Sequence, residues 1–225
     1  MLATIGFLTA AVLLCLFAYT FYRLVKGSDT GLGAFGLAYS LIAAAFLMWG
    51  LLSLANSTGE LARSVLVGDG LLLAASILSA SVFMPPRWKK PALAVLTVAA
   101  IVLLYARSKY YYPVPSLKQS VLFFNTQRPV AVLLSAIVVI AWLPACMKAA
   151  RIVTGRAGLQ RYYPLFVSTY FLTIISAVLF IEARRRTIVI DAFIAFTASI
   201  LLLLVSNVLA QSGTNNTKAG RHAAR

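Results

Sequence analysis

The chain has 225 residues, of which 61% are hydrophobic and only 11% charged, and it carries a formal net charge of +15. A soluble domain of this size cannot hide so much apolar surface, because ordinary usage is about 45–50% apolar and about 25% charged. The excess charge does not point to nucleic acid, since the basic residues are spread through short segments between apolar blocks, as in topology signals and contacts to anionic headgroups.

A helix needs about 20 apolar residues to cross a hydrocarbon core of about 30 Å. Seven blocks of that kind are predicted, over residues 2–22, 34–55, 64–84, 91–106, 130–147, 164–182 and 187–210. The runs are continuous rather than alternating, which excludes a β-barrel. The fold class expected is therefore an all-α integral membrane domain of seven helices over 1–210, with a polar, unstructured cytoplasmic tail over 211–225. The first block lacks a basic n-region and a small-residue cleavage site, so it reads as a retained span. It ends with Arg23 and Lys26, which places the N-terminus outside the cell membrane. Seven crossings then put the C-terminus in the cytoplasm. Twelve of the 20 basic residues fall on the cytoplasmic side in this layout, and the triplet Arg184–Arg186 falls outside.

Between the first two blocks, Gly31–Gly36 matches G-x-G-x-x-G. It follows a membrane helix and a short basic loop, not a strand, so the dinucleotide chemistry of that fingerprint is not expected. These glycines read instead as a flexible loop entering the second helix. The third block, RSVLVGDGLLLAA over 63–75, holds Asp69 between two glycines. The carboxylate is expected about six residues into its helix, roughly 9 Å along the axis. Gly68 and Gly70 would let a neighbouring helix approach closely. The fourth block barely spans. The longest loop, 106–129, opens with KYYYPVP, which reads as an aromatic belt or, more sharply, as a lid over an outer pocket. VLFF, 121–124, is too short to span and is expected to lie in the interface.

The seventh block, RRTIVIDAFIAF over 185–196, again places an aspartate, Asp191, just inside an apolar run. An offset of 122 residues superimposes Asp69 on Asp191 and Lys26 on Lys148. This allows a 3+1+3 pseudo-repeat with the fourth helix as linker, a plan found in some transporters. A buried ionised carboxylate is costly in a membrane, so an intramembrane Asp normally faces the bundle interior and has a partner. The candidate binding set is Asp69 and Asp191 with Arg63, Arg107, Arg185 and Arg186, forming a polar pocket for a small ligand on the outer side. Structural ion pairing explains the same residues. No nucleophile–base pair, phosphate loop or HExxH motif is present, and the one histidine, His222, lies in the tail. Neither enzyme activity nor a cofactor or metal site is expected. Cys15 and Cys146 are isolated thiols without disulfide or metal spacing. Asn56 and Asn215 stand in N-x-S/T sequons.

FYRLVKG ahead of GAFGLAYSLIAAAFLMWGLLSLA, the long loop before the fifth block, and KAARIVTGRAGLQRYYPLFVSTYFLTII together resemble the N-terminal seven-helix membrane sensor region of bacterial histidine kinases. The resemblance covers nearly the whole chain in pattern and spacing. It implies an N-out, C-in topology and sensing from the membrane or the outer side. No kinase, PAS or cyclase sequence follows within these residues, so the resemblance implies a module that acts through a cytoplasmic protein partner. The basic segments PPRWKKP and RIVTGRAGLQR suit lipid contact or docking of such a partner. A second resemblance, to small sugar transporters of the three-plus-one-plus-three type, is limited by the absence of their pore-helix prolines. Sensor, transporter and structural membrane protein are the three readings left open.

Overall fold

The computed structural model describes residues 2–26, 30–54, 57–84, 86–118, 121–156 and 158–223. Asp29, Asn56 and Arg225 lie outside them. Seven helices follow in chain order: α1 Leu2–Val25, α2 Thr30–Leu52, α3 Thr58–Phe83, α4 Pro86–Lys109, α5 Arg128–Arg156, α6 Tyr163–Glu182 and α7 Arg186–Ala223. Each is long and apolar enough to cross a membrane. By length and composition they suit a polytopic membrane protein. The fourth, expected to be marginal, is 24 residues long because the helix begins at Pro86. Proline suits a first helical position, where its missing N–H is not needed. α7 runs on past its apolar part to Ala223, through most of the segment expected to be an unstructured tail.

The chain is not purely helical. A hairpin of two short antiparallel strands, β1 Ser116–Lys118 and β2 Val121–Phe123, interrupts the long loop, with Leu117 opposite Leu122. Asn125 then turns the chain into α5 in a left-handed conformation (φ 49°). Asparagine tolerates that region better than most residues. Its side-chain amide donates to the Val114 carbonyl at 2.9 Å and to Ser116 Oγ at 3.0 Å, closing the loop on itself.

Six helices form a closed ring. α1 packs on α2, α2 on α3, α3 on α5, α5 on α6, α6 on α7, and α7 returns to α1. α4 stands outside, held chiefly against α3 and α5. Its buried residues, Ala100, Leu103 and Arg107, recur at i, i+3 and i+7, which is one face of a helix. Val95, Val98, Ile101, Val102 and Tyr105 face outward.

Aromatic rings fill the ring's interior. At the end nearest the hairpin, Phe7 meets Phe46, Trp49, Phe124, Phe180 and Phe193. Deeper in, Phe17, Phe35, Tyr39, Trp142 and Tyr170 form a second cluster. Offset and edge-to-face contacts of this kind give each pair about 0.5–1.5 kcal/mol beyond area burial. VLFF does not lie in the interface as expected. Val121 to Phe124 are all buried, and Phe124 seats its ring against Trp49 at 4.8 Å between centroids, closing the bundle at the hairpin end. These four consecutive apolar residues, three of them in β2, have a packed core to enter here, so they enter it.

The glycines of the G-x-G-x-x-G stretch fall in α2's first turns, not in a loop. At Gly36 a Cβ would reach the Ala18 carbonyl of α1 at 3.4 Å, so the motif serves helix approach. α5 ends in a Schellman arrangement, with Gly158 left-handed (φ +67°) and Leu159 N–H donating to the Thr154 carbonyl at 2.8 Å.

Candidate functional site

α3 begins at Thr58, a turn and a half earlier than its apolar run suggests, because Ser57 caps it and accepts from the Glu60 amide. Asp69 therefore lies eleven residues in, about 16 Å along the axis rather than 9 Å. It is 1% exposed. The side chain that meets it comes from α4: the Arg107 guanidinium donates through Nε to Asp69 Oδ2, forming a buried ion pair. Arg107 is the last member of α4's buried stripe, so the pair fastens the peripheral helix to the ring.

The pair continues into the loop. Arg107 Nη2 approaches Thr126 Oγ1 at 3.5 Å, and the Thr126 carbonyl accepts from Arg184 Nη2 at 3.4 Å. Thus α3, α4, the segment after the hairpin and the α6–α7 turn meet at one polar junction. It is incompletely satisfied, since Asp69 Oδ1 and Arg107 Nη1 are buried without a hydrogen-bond partner. A pair joined through one oxygen and one nitrogen leaves capacity that a bidentate fork would use.

Gly68 explains the glycine before Asp69. A Cβ there would fall on the Trp49 ring of α2, within 2.6 Å of Cε2 and 2.8 Å of Nε1. Trp49 donates from Nε1 to the Ser64 carbonyl of α3 at 3.2 Å. Gly70 has no such role, since its Cβ would make only ordinary contact with Leu104 at 3.9 Å.

The other residues of the candidate set are placed elsewhere. Asp191 is exposed on α7, five residues past that helix's start, and does not converge with Asp69. Arg63, Arg185 and Arg186 are exposed as well. The offset that aligns the two aspartates thus pairs a sealed position with an open one. The helix face decides the difference: Ala192, Phe196, Ile200 and Leu203 turn α7 inward, and Asp191 lies off that stripe.

Two further polar contacts escaped the sequence reading. Ser135 of α5 donates to Glu182 at the end of α6. Trp142 Nε1 donates to Ser76 Oγ at 3.0 Å, tying α5 to α3. A serine one turn before or after a small residue gives no signal of such a partner. The buried hydroxyls of Ser64, Ser76, Thr154, Thr173 and Ser206 each donate to a carbonyl three or four residues back in their own helix.

The cavities described are apolar. One of about 40 Å³, lined by Tyr39, Phe46, Trp49, Trp142 and Phe196, sits inside the ring. It is too small for a ligand larger than a few waters. A larger groove of about 340 Å³ runs between α1 and α7 beside the hairpin. Among the described residues no group of three His, Cys, Asp or Glu side chains could hold a metal. No family model, no curated protein and no solved structure matches the chain.

Proposed function

We propose that the chain is a multi-pass sensor or receptor-like module of the cell membrane, with the hairpin end outside and the C-terminus cytoplasmic. The observation that carries this is the junction at Asp69–Arg107. It links two ring segments, the peripheral helix and the hairpin loop through one ion pair with an unused donor and an unused acceptor. A ligand or ion that competes for either group would loosen α4 from α3. Only a difference in affinity between the closed and loosened arrangements could drive the change. α4 carries Arg87, Lys89 and Lys90 at its other end, so its movement would alter the basic surface offered to a cytoplasmic partner.

A structural role is the second reading, favoured by the closure of the pair. Transport draws less support, because aromatic rings fill the ring's interior and the buried hydroxyls named above donate to their own helices.

The test uses spin labels at Lys26→Cys and Lys90→Cys, both exposed positions, after replacing Cys15 and Cys146 with Ala. If α4 is a moving element, Arg107→Gln shifts the inter-label distance by on the order of 1–2 Å or more, the scale of helix shifts in switching proteins. An unchanged distance in a folded variant leaves the pair as a structural tie and rejects the sensor reading.

A further inference from the structure

The half of the bundle away from the hairpin holds polar side chains that its packing leaves unused. Tyr39 of α2 and Tyr170 of α6 are buried there, and both set their rings against Phe17 and Phe35. The buried Cys146 thiol of α5 is close enough to act electrostatically on both phenol groups, and Tyr170 on Tyr39, so the three are neighbours.

Two printed contacts place two more polar groups at this level. Trp142 of α5 donates to Ser76 of α3, and one turn further along each helix stand Cys146 and Ser79. Thr173 of α6 and Ser199 of α7 meet at 2.8 Å and fix the register of those antiparallel helices. Moving away from the hairpin, Tyr170 lies one turn beyond that contact and Asn207 two turns beyond it. Side chains lean towards the N-terminus of their own helix, so these two lean towards each other. Asn207 belongs to the buried stripe of α7 that includes Phe196, Ile200 and Leu203.

Among the described residues, Tyr39 OH, Ser79 Oγ, Tyr170 OH and both polar atoms of Asn207 are buried without a hydrogen-bond partner. Hydroxyl and amide groups left dry in an apolar interior are costly, and lipid offers them no partner from outside. Four helices thus bring unpaired donors and acceptors to one depth. The cavity of about 40 Å³ reaches this layer at Tyr39 and exceeds the roughly 10–15 Å³ that one water needs. Hydroxyls and an amide can both donate and accept, which suits water rather than an ion.

We propose that Tyr39, Ser79, Tyr170 and Asn207, beside the Cys146 thiol, form an internal hydration site that holds a small cluster of ordered water. It is separate from the Asp69–Arg107 junction, which lies towards the other end of the bundle.

The experiment follows the Cys146 S–H stretch by infrared spectroscopy, in full-length Cys15→Ala protein in phosphatidylcholine bilayers transferred to D2O. The reference is a single thiol elsewhere in the hydrophobic core, Leu73→Cys combined with Cys15→Ala and Cys146→Ala. Cys146 should exchange its proton for deuterium at least about a hundredfold faster than the reference, because water beside the thiol removes the need for local opening. Tyr170→Phe and Asn207→Leu each remove a partner of that water, and should slow the exchange at least about tenfold. They should also lower the SDS fraction at which the protein unfolds. In a dry layer the same substitutions delete unpaired polar groups and raise that midpoint. Tyr170→Phe removes a single oxygen and carries the test if Asn207→Leu does not fold. Exchange as slow as the reference, exchange unchanged in the folded variants, or a raised midpoint overturns the proposal.

Discussion

Replacing Arg107 with Met while keeping Asp69 leaves a carboxylate that is 1% exposed without its counter-charge. Breaking a buried pair in this way costs about 3–5 kcal/mol, because the desolvated charge that remains has nothing to offset it. The lower end is expected here, since the pair is joined through one oxygen and one nitrogen and its remaining atoms are already unpartnered. The double variant Asp69→Leu with Arg107→Met removes both charges, and should return stability to within about 1 kcal/mol of the parent or above it. The two substitutions are therefore strongly coupled, by at least about 2 kcal/mol. The assay is equilibrium unfolding in mixed micelles, raising the SDS fraction and following helicity by circular dichroism for parent, both singles and the double. If each single costs under about 1 kcal/mol and the two add within about 0.5 kcal/mol, the pair does not hold α4 to the ring.

Three further outcomes follow from the packing. Gly68→Ala drives a methyl into the Trp49 ring and should destabilise by about 1–3 kcal/mol, whereas Gly70→Ala should not, as thermal unfolding of the two variants will show. Phe124→Ala removes a fully buried ring at the end of the bundle and should cost about 3–5 kcal/mol; limited proteolysis should then cut within 106–127, and resistance equal to the parent would deny Phe124 its sealing role. Asp191→Cys, in a chain lacking Cys15 and Cys146, should react with a membrane-impermeant maleimide on one side of intact cells, while Asp191→Asn should change stability by no more than about 0.5 kcal/mol. Labelling from the cytoplasm would reverse the proposed orientation.

Most of the helical layout was legible in the sequence because hydrophobic length alone encodes it. Pro86 and Ser57 moved two boundaries outward, since caps act over a few polar residues that a hydropathy window averages away. The partner of Asp69 was legible only as one name among several. Arg107 lies 38 residues on, and its choice over Arg185 and Arg186 depends on how separate helices pack, which no periodicity records. Arg63 could be set aside on Asp69's own helix, because six residues rotate it about 240° to another face. The glycine beside Asp69 announced a close approach, but the approaching group was Trp49, fifteen residues earlier than the hydrogen bond it makes at Ser64. The hairpin was the hardest part. VLFF has the same composition whether it lies on a membrane surface or inside a bundle, and the deciding fact is the space left for it by α1, α2 and α6.

That space has a consequence for biosynthesis. Phe124 touches Phe7 and Trp49, made before it, and Phe180, made more than fifty residues after it. During chain elongation the seat for this ring is therefore half built until α6 has emerged, and Val121 and Leu122 wait longer, for α7. The hairpin end of the bundle is then sealed late, by the docking of a segment already translated. A chain stalled or truncated before α7 would display VLFF to its surroundings, which gives a membrane quality-control protease a short apolar feature that separates unfinished molecules from finished ones.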